Sequence, residues 1–178
     1  SFDCFQCSEG NIAVGFNGIR EYNGPVFDSG FSFNIPTREV VDAFETGDLR
    51  KDVAILDIEQ WAASRGASYG KGFEHTGYFN RKYIPRKGDS NIGDQNLTNP
   101  NNYRAIRYAD VLLLAAEANA KKSSPDESKA RTYLNLVRQR AFGNTSHAVN
   151  ATGSALKDAI FHERRVELVG EGHRFFDL

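Results

Sequence analysis

The sequence predicts a mainly α-helical protein: a close-packed helix pair plus a third helix, preceded by an irregular aromatic- and glycine-rich segment carrying short strands. Three observations predict it. After Pro100, apolar residues recur at i, i+3, i+4 and i+7 in three stretches. Before Pro100, helical periodicity is scarce and Gly, Asn and aromatic residues are dense. The connection at 122–124 is short enough to make the first two stretches antiparallel neighbours.

Residues 1–35 read as irregular, with turns at Asn23, Gly24 and Pro25 and at Ser29 and Gly30. The alternation across 30–35 predicts a short strand. A helix follows from Pro36 to about Glu45, with Thr37 as N-cap, Val40, Val41 and Phe44 inward, and Gly47 as the stop. Residues 53–58 and 78–84 read as strands, and 62–77 and 85–102 as loops. The first long helix is expected over 103–121, with Ala105, Ala109, Leu112, Leu113, Ala116 and Ala120 on one face. Its alanines let a second helix approach closely. That second helix opens with Ser124 as cap, Pro125 in the first helical position and Glu127 completing a capping box. Its stripe is Ala130, Tyr133, Leu134, Val137 and Ala141. The third helix begins near Ser154, turns Leu156, Ala159, Ile160 and Leu168 inward, and weakens at Gly170 and Gly172.

The expected organisation is an irregular variable region at 1–100 with one short helix, and a helical core at 101–178. One antiparallel small-residue pair resembles a tetratricopeptide unit, and a single such unit is not self-sufficient. The chain is therefore expected to be a fragment of one larger domain. It contains no methionine, so Ser1 is expected to be a processed or cut end, and the stop at Leu178 a second cut.

A net charge of −1 gives no pull toward nucleic acid or anionic lipid. No run approaches the roughly 20 apolar residues of a membrane-spanning helix, and no basic-plus-apolar signal opens the chain. Cys4 and Cys7 form one C-x-x-C, and the nearest histidine is His75, so a zinc site lacks ligands. The pair reads as non-functional. His162 and Glu163 begin an H-E-x-x-H motif, but Val166 stands where the second histidine belongs. The oxygen-rich run at 89–94 fails the calcium-loop pattern, with Pro100 in the place of the bidentate Glu. The glycosylation-type triplets at Asn96, Asn144 and Asn150 read as chance. No metal and no cofactor is expected.

Glu163 and Glu167 lie one turn apart with Arg164 and Arg165 between them. Glycosidase carboxylates flank a cleft from separate elements with a sugar between. Two glutamates on one helix among arginines instead make structural ion pairs, here with Arg138, Arg140 or Arg174. Arg107 is expected to pair with Asp110 along its own helix, beside a charged rim of Arg104 and Glu117.

Ligand contact is expected in the aromatic segment. Trp61, the only tryptophan, is followed by Tyr69, Phe73, Tyr78 and Phe79 among Gly and Ser. An exposed ring stacks on the apolar face of a sugar while the hydroxyls stay wet. Asn80, Arg81 and Glu59 stand beside these rings to supply hydrogen bonds. The candidate ligand-binding residues are Trp61, Tyr69, Tyr78, Asn80 and Arg81. The competing reading is that the rings pin the loop onto the core.

Three runs carry a resemblance. They are R-Y-A-D-V-L-L-L-A-A-E-A-N at 107–119, A-x-x-x-L-N-x-V-R-x-R-A at 130–141 and E-R-R-x-E-L-x-x-E-G-H-R-F-F-D-L at 163–178. Pro36 and Thr37, followed by Gly47, Asp48 and Arg50, look like a fourth piece, P-T…D-x-R. In this order the chain resembles the SusD/RagB family, the nutrient-binding outer-membrane lipoproteins of Bacteroidetes-type bacteria. The resemblance implies a mainly helical, tetratricopeptide-like protein, lipid-anchored on the outer-membrane cell surface through an anchor absent from this chain. It implies non-catalytic capture of glycans (oligosaccharides) or sometimes peptides, and a TonB-dependent, SusC-like transporter as partner. These motifs are fold motifs, so no sugar-binding residue carries over from them. Two other readings stand beside this one: a helical protein–protein scaffold that docks the transporter without touching ligand, and a glycoside hydrolase using Glu163 or Glu167.

Overall fold

The computed structural model describes residues 13–72, 74–88 and 101–177. Cys4, Cys7, Phe73, the run at 89–94 and the triplet at Asn96 lie outside the described residues. In chain order the described elements are α1 (Ala13–Asn17), α2 (Arg38–Asp42), α3 (Lys51–Ala54), β1 (Ile55–Asp57), α4 (Ile58–Arg65), β2 (Tyr78–Asn80), α5 (Tyr108–Lys121), α6 (Glu127–Phe142) and α7 (Gly153–Glu167). Among the described residues four helices thus precede residue 100, where the sequence offers one. No helix among the described residues is long and apolar enough to cross a membrane. The chain divides into two units, 1–38 with 52–103, and 39–51 with 104–178.

In the first unit β1 and β2 pair antiparallel, with Ile55 opposite Asn80, Leu56 opposite Phe79 and Asp57 opposite Tyr78. Leu56 and Phe79 drop into a core with Ile19, Tyr22, Phe27, Ile58 and Ile84. The strand expected at 30–35 does not form. Ser32 and Asn34 adopt positive φ, which breaks an extended run. Their segment bonds to the turn after α1 instead, with Phe31 N donating to Gly15 O and Ser32 N to Gly18 O. That approach needs glycine: a Cβ on Gly30 would stand 2.4 Å from the Gly18 Cα. Helix α4 begins at Ile58, the end of the strand expected over 53–58, and runs through residues 62–65 of the expected loop. Asp57 caps it by accepting from Gln60 N at 2.9 Å, and Gly66 ends it in the left-handed region. Only Ile58 and Ala62 of α4 are buried, so it has no long apolar stripe to announce it.

The second unit is built on α5, α6 and α7. Ala109, Leu112, Leu113, Ala116 and Ala120 of α5 meet Ala130, Leu134 and Val137 of α6 and Leu156 and Ile160 of α7 in one core. The connection folds back tightly, with Asp126 N donating to Asn119 O. Helix α5 starts at Tyr108, later than the stripe suggests, because Arg107 stays extended at φ −139° and ψ 161°. Helix α6 is capped by Asp126, which accepts from Lys129 N at 3.0 Å, and not by Ser124. Glu127 is drawn to Gly153 N at 2.8 Å, so the expected capping box is not made. Asp126→Ala should cost about 1 kcal/mol, read as a lower urea midpoint of the helical signal; an unchanged midpoint would contradict this cap assignment. Val41 and Phe44 are buried as the stripe predicts, although α2 ends at Asp42. Leu49 N donates to Ala141 O at 3.0 Å, tying the 39–51 segment to α6.

Candidate functional site

The charged residues of the sequence motifs converge inside the second unit. Asp48 orients Arg50, accepting its Nε at 2.9 Å and its Nη2 at 2.6 Å. The other end of that guanidinium reaches both helix-α7 glutamates, with Nη1 at 2.6 Å from Glu163 Oε1 and 2.7 Å from Glu167 Oε2. Arg138 donates to the second oxygen of Glu163 at 2.7 Å and also pairs with Glu45. Glu167 further accepts from Arg107 and Arg140. Arg107 continues to Glu171, with its Nε at 2.7 Å. A parallel set joins Arg164 to Asp110 and to Asp177, both at 2.9 Å.

Two details of the sequence reading change. Arg107 does not pair with Asp110; helix α5 begins after it, and its guanidinium reaches across to Glu167 and Glu171, leaving Asp110 to Arg164. Arg174 pairs with neither glutamate among the described residues, whereas Arg138 and Arg140 do. The hub, Arg50, lies more than a hundred residues from both glutamates in sequence, so nothing local pairs it with them. Its only local signal was Asp48 two residues earlier.

The electrostatics fit an architectural role. Burial pushes the Glu167 carboxyl up, but hydrogen bonds from Arg140, Arg50 and Arg107 outweigh it and hold the group at about 2. The hydrogen bond from Arg138 likewise lowers Glu45. The Glu163 side chain is 0% exposed and that of Glu167 only 3%. No sugar reaches either, so the pair is not the carboxylate couple of a glycosidase cleft.

The first unit carries the aromatic candidates. Trp61 is half-buried on the core, its ring centroid 5.0 Å from that of Phe27. Its Nε1 donates to Tyr22 Oη at 3.0 Å, and Tyr22 Oη donates to Pro25 O at 2.6 Å, which fixes the indole. The guanidinium of Arg65 lies 4.9 Å from the Trp61 ring and that of Arg81 5.9 Å, cation–π distances that bring Trp61 and Arg81 together. Arg81 also donates to Asp52 O at 2.7 Å. Asn80 lies beneath, 2% exposed, donating to Asn17 Oδ1 at 3.2 Å.

Tyr78 stands apart from Trp61 in the wall of a surface groove of about 640 Å³. Arg38, Asp57, Glu59, Lys71 and His75 line it with Tyr78. The Arg38 guanidinium lies 5.1 Å from the centre of the Tyr78 ring, and Lys71 pairs with Glu59 at 3.3 Å. Tyr69 packs against His75 of the same wall, ring centroids 5.5 Å apart. Thr76 Oγ1 donates to Pro36 O at 2.7 Å and so holds the groove loop in place. Arg38 and His75 were not singled out from sequence. Nothing local marks them, since the fold alone brings residue 38 to residue 78.

A helix pair and a third helix locked by arginine–carboxylate clamps, with an irregular aromatic unit before them in sequence, define the class of protein. The chain matches the SusD family over residues 58–178. SusD-like protein P2 of Formosa agariphila is 29% identical in an alignment of 170 residues that covers 90% of this chain and 34% of that protein. A solved laminarin-binding SusD-like protein is 39% identical, with a TM-score of 0.78 over 96% of this chain and 36% of that one. Surface glycan-binding protein A from Bacteroides thetaiotaomicron, solved in complex with laminarihexaose, is 28% identical, with a TM-score of 0.76 over 93% of this chain and 36% of that one. The chain belongs to the SusD family. It spans about a third of the length of the relatives it matches.

Proposed function

We propose that this chain is part of a non-catalytic cell-surface protein that captures glycans and delivers them to a TonB-dependent outer-membrane transporter, the whole protein being lipid-anchored in the outer membrane. The observation that carries the reading is the likeness, over 93% of this chain, to a relative solved with laminarihexaose. The burial of Glu163 and Glu167 supports capture without hydrolysis. In this reading the rings of Trp61, Tyr69 and Tyr78 give stacking surfaces, and Arg81 adds a hydrogen-bond donor beside Trp61. Asn80 supports strand β2 from below.

The test uses the full gene product in native gels containing laminarin, with a glycan array beside it. Trp61→Ala and Tyr78→Ala should each weaken retention by about tenfold, the loss of one stacking contact. Tyr78→Ala matters because Trp61 also holds Tyr22, so the first variant is scored only with its helical signal intact. Two folded variants with unchanged retention would favour the helical scaffold that docks the transporter without touching sugar. A parent protein that binds no glycan on the array ends the capture reading.

A further inference from the structure

Three arginines of the first unit lie against aromatic rings instead of carboxylates. Arg38 stands 5.1 Å from the centre of Tyr78, and Arg65 and Arg81 stand 4.9 Å and 5.9 Å from that of Trp61. None of the three pairs with an acidic side chain among the described residues, where the ion pair of the first unit is Lys71 with Glu59. In the second unit Arg50, Arg107, Arg138, Arg140 and Arg164 all end on carboxylates. A ring attracts a guanidinium but offers no lone pair to its N–H donors. Those donors stay available for an anion.

The two ring sites differ in charge. Arg38 shares its groove with Lys71 but also with Asp57, Glu59 and Glu74, so carboxylates outnumber cations there. At Trp61 two guanidiniums approach one indole, and like charges brought together repel unless a counter-charge joins them. Each member is held in place. The indole donates its Nε1 proton to Tyr22 at 3.0 Å, and Arg81 donates to Asp52 O at 2.7 Å. Arg65 closes α4, one turn after Trp61. Arg65 is exposed, and Trp61 and Arg81 are half-buried, so a ligand can reach all three.

We infer that Trp61, Arg65 and Arg81 form a subsite for an anionic substituent, a sulfate ester or a carboxylate, on the captured glycan. The inference rests on the capture reading and names the class of glycan within it. A guanidinium holds paired N–H donors in one plane, which match two oxygens of either oxyanion. The indole beside them takes the apolar face of the sugar that bears the group.

The test is calorimetric titration of the full gene product with three probes on one backbone: laminarin, sulfated laminarin and carboxymethyl laminarin. The parent should bind at least one charged form about tenfold or more tightly than laminarin itself, the scale of a hydrogen bond to a charged group. The two charged probes tell a sulfate ester from a carboxylate. Arg65→Gln combined with Arg81→Gln should bring the ratio of charged to neutral affinity close to one. Arg65→Gln alone, at an exposed position, should lower the ratio and carries the test should the double variant fail to fold. Arg104→Gln removes an exposed arginine outside the first unit and should keep the parent's ratio. Equal binding of all three probes by the parent would overturn the inference and leave the capture reading standing. A preference that survives in the folded double variant, or falls as far in Arg104→Gln, would overturn it too. A parent that binds none of the probes ends both readings.

Discussion

Glu163→Gln is expected to lower the unfolding free energy by about 3–5 kcal/mol, the cost of removing one partner from a buried ion pair. Glu163 is fully buried and holds two guanidiniums, Arg50 on one oxygen and Arg138 on the other. The amide removes the negative charge and leaves both cations short of a counter-charge in a site already stripped of water. Asp48 and Glu167 remain to Arg50 and Glu45 remains to Arg138, yet none of these carboxylates accepts from both arginines as Glu163 does. Urea unfolding followed by the helical signal measures the change. A loss below about 1 kcal/mol, the scale of a solvent-exposed pair, would show that this centre is not a buried structural clamp.

Acid should loosen the second unit through Glu167. Its carboxyl is held at about 2 in the folded protein, against an ordinary value of 4.5. The folded value is the lower one, so the folded state binds fewer protons than the unfolded chain between these limits. The stabilisation is fully present above 4.5 and is lost as pH falls toward 2. The shift corresponds to about 3 kcal/mol. Glu167→Gln should therefore be destabilised at neutral pH and should lose much of the parent's dependence on pH in that window. Parallel stability curves for parent and variant between pH 2 and 4.5 would contradict the assignment.

The helical half was legible because its signals are local. The stripe at Ala130, Leu134, Val137 and Ala141 is buried as spaced, and α7 begins within a residue of the position its sequence suggests. The architectural role of Glu163 and Glu167 was also legible, since like-charged residues one turn apart among arginines seldom line a sugar cleft. Their full partner set was not. Arg50 reaches them from a distant segment, and Arg107 abandons a helical neighbour at Asp110 for a buried carboxylate across the unit. Competition between local and buried partners is decided by burial, which one sequence does not display. Helix α4 was hidden for the opposite reason: a single aspartate cap and a closing glycine define it, with almost no apolar stripe. In the aromatic segment, sequence offers Tyr78 and Trp61 as candidates, but the separation between the groove wall and the Trp61–Arg81 contact emerges only from the fold.

The proposed division of labour between an ionic framework and an aromatic ligand surface is tested most directly by laminarin retention of Trp61→Ala and Glu167→Gln, run side by side in the full gene product at neutral pH and low temperature, where both are folded. Trp61→Ala is expected to lose retention while Glu167→Gln, though less stable, keeps the parent's affinity. Retention intact in Trp61→Ala and abolished in folded Glu167→Gln would contradict it.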